Sequence, residues 1–395
     1  MPVIEQIAQF ADDLTAIRQD FHQHPELGFE EHRTSQRVAD LLASWGVAVE
    51  RGIGGTGLVG VIDGARPGRS IGLRADMDAL PMDELTNLPY ASKNPGVFHG
   101  CGHDGHTTML LGAARYLAGN RDFSGRAVLI FQPAEEGLGG ARAMLRDGLF
   151  DRFPCDELYG MHNSPYQGHS QLTIRPGKAQ AGASFFDITL HGRGSHGAMP
   201  QASRDPITIG SGLVKEMQEI VSRNMDPTHP AVVSVTQFHA GSAYNVIPET
   251  AVLRGTFRYF DEADGVMIED RIRKLCAGFA LAHEIEIVAD IRNIFDVLSN
   301  DPGRVDNLIE VAQEIVGDKA QPNAELTMGS EDMADLLRVV PGRFLQSGAW
   351  RNRSAAQFRI HFRRHDPARR RQPAGPARRG ARRRLSAAAP TKSNS

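Results

Sequence analysis

Cysteine is scarce in this chain: Cys101, Cys155 and Cys276 are the only three among 395 residues. An odd, low count argues against a disulfide-stapled scaffold. Long apolar runs are missing too. No stretch approaches the roughly 20 apolar residues that cross a bilayer, so no membrane-spanning role is expected. The N-terminus, Met1-Pro2-Val3-Ile4-Glu5-Gln6, has no basic region leading into an apolar run and does not read as a secretory signal. A cytoplasmic location is the resulting expectation. What is present is ordinary for a soluble enzyme: 41% hydrophobic and 23% charged residues. A chain of this length buries a large core and usually divides into two domains.

Acidic residues are lacking in one place. Residues 351–395 hold 14 Lys+Arg and a single acid, Asp366, a balance of +13; residues 1–350 hold 30 basic and 46 acidic residues, a balance of −16. The body is acidic. A nucleic-acid-binding function rests on the tail alone, and none is expected.

Apolar spacing predicts helices over residues 3–23 and 30–45. Short apolar strands follow at 57–62, 70–74, 127–131 and 157–161, with helices at 105–118 and 141–147 between them. Alternating strands and helices predict an α/β layer with a mainly parallel sheet. The pattern changes near residue 181. A strand at 184–190, a helix at 206–223, strands at 231–239 and 251–260, a helix at 265–282 and a strand at 284–291 give the order β-α-β-β-α-β of a ferredoxin-like unit. Helices return at 302–316 and 330–339, with a strand near 343–345. The expected organisation is a discontinuous catalytic domain (1–180 and 292–350), an inserted α+β domain (181–291), and an Arg/Ala/Pro-rich tail (351–395).

The chemistry falls at strand ends. His99, Cys101, His103 and His106 cluster within eight residues on a Gly-rich turn, with Asp104 among them. Glycines let such a backbone bend so that side chains converge. Thiolate and imidazole suit zinc, and imidazole also suits manganese, cobalt or nickel. The strand at 127–131 runs into Gln132-Pro133-Ala134-Glu135-Glu136-Gly137, where adjacent carboxylates repel unless a cation or proton is present. The strand at 157–161 ends in His162-Asn163, where open α/β sheets place ligands. Asp76 and Asp78, two apart after the strand at 70–74, share a face and suit the task of orienting ligand histidines.

Together these motifs resemble the metal-dependent aminoacylase, hippurate hydrolase and indoleacetyl-amino-acid hydrolase family. The matching pieces are His24-Pro25-Glu26-Leu27-Gly28, Arg74–Pro81, His99–His106, Gln132–Gly137, Gly160–Asn163, Gly194–Pro200 and Tyr244–Pro248, in the family's order. The resemblance implies that Cys101, His103, Glu136 and His162 are metal ligands and Glu135 the general base. It implies that Asp78 orients the site, and that His196 and Asn245, from the inserted domain, reach the substrate. It further implies two divalent ions per chain (Zn, Mn, Co or Ni), a small N-acyl amino acid as substrate, and a homodimer or homotetramer. Arg258 is a second candidate for the substrate carboxylate, although an Arg on a sheet surface is more often solvated.

The resemblance stops after Trp350. The family continues with a Pro-Leu-His-Asn segment, whose His is the remaining metal ligand, and later Leu-Pro-x-Gly-Ala and a closing helix. Read one nucleotide downstream, Ser354-Ala355-Ala356-Gln357 is compatible with Pro-Leu-His-Asn. In the same shifted frame Pro367 to Arg378 is compatible with Leu-Pro-Ala-Gly-Ala-Ser-Leu-Leu-Ala-Arg-Leu-Ala. The expectation is a frameshift between about Phe344 and Ser354, in the gene or its sequencing. A nucleotide sequence without a His-Asn codon pair in the shifted frame there overturns it. If the tail is instead genuine, the chain lacks a ligand and a closing core element, and is an inactive or single-metal relative.

Overall fold

The computed structural model describes residues 5–168, 171–322 and 324–348. The expected tail at 351–395, with its frameshift, lies outside the described residues. Along the first half the elements are α1 (Glu5–Gln9), α2 (Ala11–Gln23), α3 (His32–Ser44), β1 (Ala48–Arg51), β2 (Leu58–Asp63), β3 (Arg66–Asp76), α4 (His103–Gly119), β4 (Ser124–Gln132), α5 (Gly140–Arg146), α6 (Leu149–Arg152) and β5 (Glu157–Ser164). Then come β6 (Leu172–Ile174), β7 (Gly177–Gln180), β8 (Gly182–His191), β9 (Ser195–His196), α7 (Pro206–Met217), β10 (Ala231–Ala240), β11 (Val246–Ile247), β12 (Thr250–Tyr259), α8 (Glu262–His283) and β13 (Glu286–Phe295). The last described elements are β14 (Leu298–Asn300), α9 (Val305–Val316), β15 (Ala320–Pro322), α10 (Met333–Leu337) and β16 (Gly342–Gly348).

One sheet of eight strands runs in the order β1-β2-β4-β3-β5-β16-β6-β15. Its centre is parallel: β3 with β4 and β5, and β5 with β16. The antiparallel pairs are β1–β2, β2–β4 and β16–β6. The mainly parallel sheet read from the sequence is therefore found, with antiparallel pairings towards its edges. Strand β4 shows why it is central: Ala127 to Gln132 are all buried, as expected for a strand covered on both faces. Leu42, Leu58 and Leu111 anchor the core on one face; Val128, Ile130 and Met333 anchor the other.

A second sheet, order β10-β12-β8-β13, is antiparallel throughout. It has its own core, centred on Phe186, Leu253 and Ile272. Helices α7 and α8 begin at Asp205 and Asp261, whose carboxylates accept from the amides of Ile207 and Ala263, a strong N-terminal stop signal.

Three expectations change in detail. The helix over 206–223 ends at Met217 and continues as a wider turn, Ile220–Asn224. The helix over 330–339 shrinks to α10, because Glu331 and Asp332 are held by buried partners. The first helix breaks at Phe10, which stands between α1 and α2. The three cysteines are free thiols.

Candidate metal centre

The parallel strands β3, β4, β5 and β16 all end on one edge of the sheet, and Cys101, His103, Glu136 and His162 all hang from that edge or from the start of α4. The turn before α4 is made by Gly102, at φ +103°, a conformation that favours glycine. It lets Cys101 and His103 face the same space. The turn after β4 is tighter. Ala134 is left-handed at φ 52°, and its amide donates to Glu31 Oε1 at 2.8 Å. Gly140 is packed so closely that an added Cβ would lie 1.6 Å from the Pro133 carbonyl. That kink directs Glu135 and Glu136 inward.

Cys101 Sγ lies 3.2 Å from His162 Nε2. His103 Nδ1 meets the Asp78 carbonyl at 2.9 Å and its Oδ1 at 3.1 Å. The other Asp78 oxygen accepts from the Glu136 amide at 2.9 Å. One buried carboxylate thus contacts both the His103 ring and the Glu136 amide. Donor atoms of Cys101, His103 and His162 lie within 4.8 Å of one another, and so do those of His103, Glu135 and Glu136. The two groups share His103.

The electrostatics point the same way. His103 Nε2 and Glu136 Oε1 are buried, 3.9 Å apart, and have no hydrogen-bond partner. Orphaned buried polar atoms are rare and call for an explanation. Burial and the neighbouring His106 push His162 down to about 3, so its ring is neutral at pH 7. Burial raises the Cys101 thiol far above its ordinary range, against the opposing pull of His103. Glu135 is raised by burial and by Glu331, Asp332 and Glu136; Glu136 is raised by burial, with Asp78 adding to it. Burial works to lower His103, but Asp76 and Cys101 outweigh it and raise the ring well above its ordinary value. Two imidazoles, a thiol and two carboxyls crowded together form the donor set that a divalent cation takes, with their protons displaced on binding. The residues present fit such an ion.

The histidine-rich segment also supplies residues that are not ligands in the expected set. His106 Nδ1 is 2.6 Å from Asp76 Oδ1, and its Nε2 is 2.5 Å from Asn163 Oδ1. Burial works to raise Asp76, but His103, His106 and Arg74 outweigh it and hold it well below the carboxylate range. His99 is fully enclosed, pushed to about 4 by burial.

The residues missed in the sequence are Glu331 and Asp332, together with Arg74. Arg74 donates from Nη1 to Asp76 at 2.7 Å, from Nε to Gln132 at 2.8 Å, and from Nη2 to Asp332 at 2.9 Å, with Glu331 at the same distance. Glu135, Glu331 and Asp332 place carboxylate oxygens within 4.8 Å of one another. Adjacent acids at 331–332 carry the same signal as 135–136, but they precede an apolar helical pattern and read as its first turn.

His196 and Asn245 come together on the small β9–β11 ribbon: Val246 pairs with His196, and the Gly197 amide donates to the Asn245 carbonyl at 2.7 Å. Both are exposed. Among the described residues, no hydrogen bond or ion pair joins either to the metal cluster. Arg258 is not a solvated charge. It is largely withdrawn from water on β12, and its Nη1 donates to Ser330 Oγ at 2.6 Å, next to Glu331.

A model of peptidase family M20/M25/M40 matches residues 72–357. The chain belongs to this family. It is 44% identical over 333 residues to a hippurate hydrolase of Campylobacter jejuni, covering 84% of this chain and 87% of the relative. It is 34% identical to an N-acetyldiaminopimelate deacetylase of Listeria innocua, covering 84% and 89%. Among solved structures, the YxeP protein of Bacillus subtilis, a dinuclear metal binding peptidase of the M20 family, superposes with a TM-score of 0.73. It shares 30% identity and covers 89% of this chain and 91% of its own. Family membership makes the chain a hydrolase of amide bonds that uses divalent metal. No described helix is long and apolar enough to cross a membrane.

Proposed function

We propose that this chain hydrolyses the amide bond of N-acyl amino acids, hippurate-like or N-acetylated, with Cys101, His103, Glu136 and His162 holding two divalent ions. The observation that carries it is the convergence of these donors around the orphaned His103 Nε2 and Glu136 Oε1, with Glu135 beside them. The names of the hippurate hydrolase and deacetylase relatives support the substrate class. Dipeptides are a neighbouring substrate class for the same chemistry.

When bound, the ions would acidify a water molecule and polarise the amide carbonyl. Glu135 is the general base. Its raised proton affinity suits it to take a proton from water and hand it to the departing amine. Asp78 keeps His103 and Glu136 in register. His196 is the donor to the oxyanion. Asn245 and Arg258 take the substrate's free carboxylate, Arg258 from its place beside Ser330. The segment 181–291 acts as a lid over the 1–180 and 292–350 domain and carries the contacts of a homodimer or homotetramer. The metal is Zn, Mn, Co or Ni.

A second reading follows from the ligand set. The described residues supply four of five expected ligands, which suits a single-metal or inactive relative. Metal analysis per chain, run beside hydrolysis of N-benzoyl- and N-acetyl-amino acids, separates the two. Two ions and turnover support the first reading. One ion or none, with no turnover, supports the second. Turnover undiminished after metal is stripped contradicts both.

A further inference from the structure

The loop from Gln132 to Ala141 carries Glu135 and Glu136. Ala134, near its start, is left-handed at φ 52°. A non-glycine residue seldom takes that conformation, and it persists only where surrounding groups over-determine it. Two fully buried carboxylates do so here, from distant parts of the chain. Glu31, just before α3, accepts from the Ala134 amide at 2.8 Å. Asp332, just before α10, accepts from the Ala141 amide at 2.9 Å and from Gln132 Nε2 at 2.7 Å. One acid therefore holds the turn of the loop, and the other holds its two ends. The two acids differ in their surroundings. Asp332 has Arg74 Nη2 as a counter-charge at 2.9 Å. Burial raises Glu31 above its ordinary value, and among the described residues no Lys, Arg or His forms an ion pair with it. Its second oxygen accepts from the Thr56 hydroxyl. Burying an acid without a counter-charge costs stability. The hydrogen bonds of the Glu31 carboxylate go to one hydroxyl and to the amide that sets the turn.

The segment leading to Glu31 packs on the same region. His24-Pro25-Glu26-Leu27-Gly28 is a motif that the proposed chemistry leaves without a task. The Glu26 carbonyl accepts from the amide of Ala79, the residue after Asp78, at 2.9 Å, and Leu27 bridges Ala79. A Cβ on Gly28 would lie 3.0 Å from both Cα and Cβ of Ala134. Residues 26–31 thus touch the loop of Asp78 and the loop of Glu135 and Glu136 together. Asp78 joins the two loops by accepting from the Glu136 amide. We propose that Glu31 is a positioning residue for the metal centre: its hydrogen bond to the Ala134 amide fixes the turn that aims Glu135 and Glu136 at His103. The inference rests on the proposed reading of Glu136 as a metal ligand. Groups that hold a ligand in place, without touching the ion, commonly change metal affinity by roughly 10–100-fold when removed.

The test is the zinc affinity of the full 395-residue chain, titrated with zinc alone and followed by calorimetry. Glu31→Met keeps the length of the side chain and removes both acceptors, and should weaken zinc binding by roughly 10–100-fold. Glu31→Gln keeps an oxygen for the Ala134 amide and turns its own amide to the Thr56 hydroxyl, which can accept. It should restore affinity to within about twofold of the wild type. Glu136→Gln should itself weaken binding, and adding Glu31→Met to it should cost no more than about a further twofold, since both changes act through one contact. Wild-type affinity in Glu31→Met, or an equal loss in Glu31→Gln, overturns the inference. So does a Glu31→Met loss as large with Glu136→Gln as without it, because the effect then reaches the ion by another route. If Glu136→Gln binds zinc as the wild type does, or the chain takes up no zinc, the ligand reading itself fails and the inference falls with it, a result distinct from the others. Should Glu31→Met not fold, Glu31→Asp, one carbon too short for the Ala134 amide, goes through the same cycle with the same outcomes.

Discussion

At the scale of single residues, the site is a problem of too many carboxylates around too few cations. Arg74 is the sole guanidinium within reach of Asp76, Glu331 and Asp332 among the described residues, and it is almost wholly buried. Arg74→Ala takes the guanidinium from all three and leaves Glu331 and Asp332 uncompensated, and the loss should be about 3–5 kcal/mol of stability in urea unfolding. A change below about 1 kcal/mol contradicts the clamp. Glu135→Gln removes a proton acceptor without touching a proposed ligand. Metal content by elemental analysis should stay at the wild-type level, while turnover falls by roughly 10²–10⁴-fold. Wild-type turnover in the metal-loaded variant sinks the base assignment. His22 offers a pH test away from the ligands. Burial opposes its charging, but Asp104, at 2.9 Å, and Glu84, at 3.2 Å, outweigh burial and raise it above 6.5. Arg18, Tyr90, Phe98 and His99 complete its surroundings. A raised histidine stabilises the fold in full below about pH 6.5, and the contribution is lost as pH rises through the folded value. The stability gap between the wild type and His22→Gln should therefore be wider at about pH 6 than at about pH 9. A gap that stays constant across that range means His22 does not titrate in this way.

At the scale of elements, the motifs were legible because each sits at a strand end or a forced turn. The apolar run 127–131 announced a buried strand, and the acids after it had to lie at its edge. Gly102 was legible as a turn. The left-handed Ala134 was not, since alanine carries no sequence sign of φ 52°; its cause is tertiary, the Glu31 carboxylate on its amide and Gly140 against Pro133. Gly140→Ala should strain this turn, lowering stability by about 1–3 kcal/mol in thermal unfolding and turnover along with it. An unchanged melting temperature shows that the turn has room to relax. The short strands β6, β7, β14 and β15 escaped notice for a related reason: three or four residues are too few for a period-2 pattern. The surroundings of Arg258 were not legible, because position on a strand says nothing about what packs over it. Ser330 comes from a distant part of the chain and takes it out of water.

At the scale of the whole molecule, two arginines tie the layers together. Arg142 of α5 reaches Asn293 of β13 at 2.7 Å and Asp335 at 3.0 Å, and Arg258 of β12 reaches Ser330. The proposed metal centre lies where the ends of β3, β4 and β5 meet, so an ion held there would stitch segments far apart in the chain. Chelation should lower the melting temperature, and added divalent ion should restore it in proportion to the logarithm of its concentration, since the ion binds the folded state. His103→Ala should abolish the response. A response that survives this change places the stabilising ion elsewhere.

The sequence alone determined the α/β layer, the β-α-β-β-α-β order and the family's motifs, because periodicity and turn chemistry are local properties. It also exposed the change of composition after Trp350, because composition is a property of the chain and not of its shape. Only the tertiary structure decided which acids share Arg74, why Ala134 turns, and that Arg258 meets Ser330. Those depend on residues far apart in sequence meeting at one edge or on one face of the sheet, and no local pattern records such meetings.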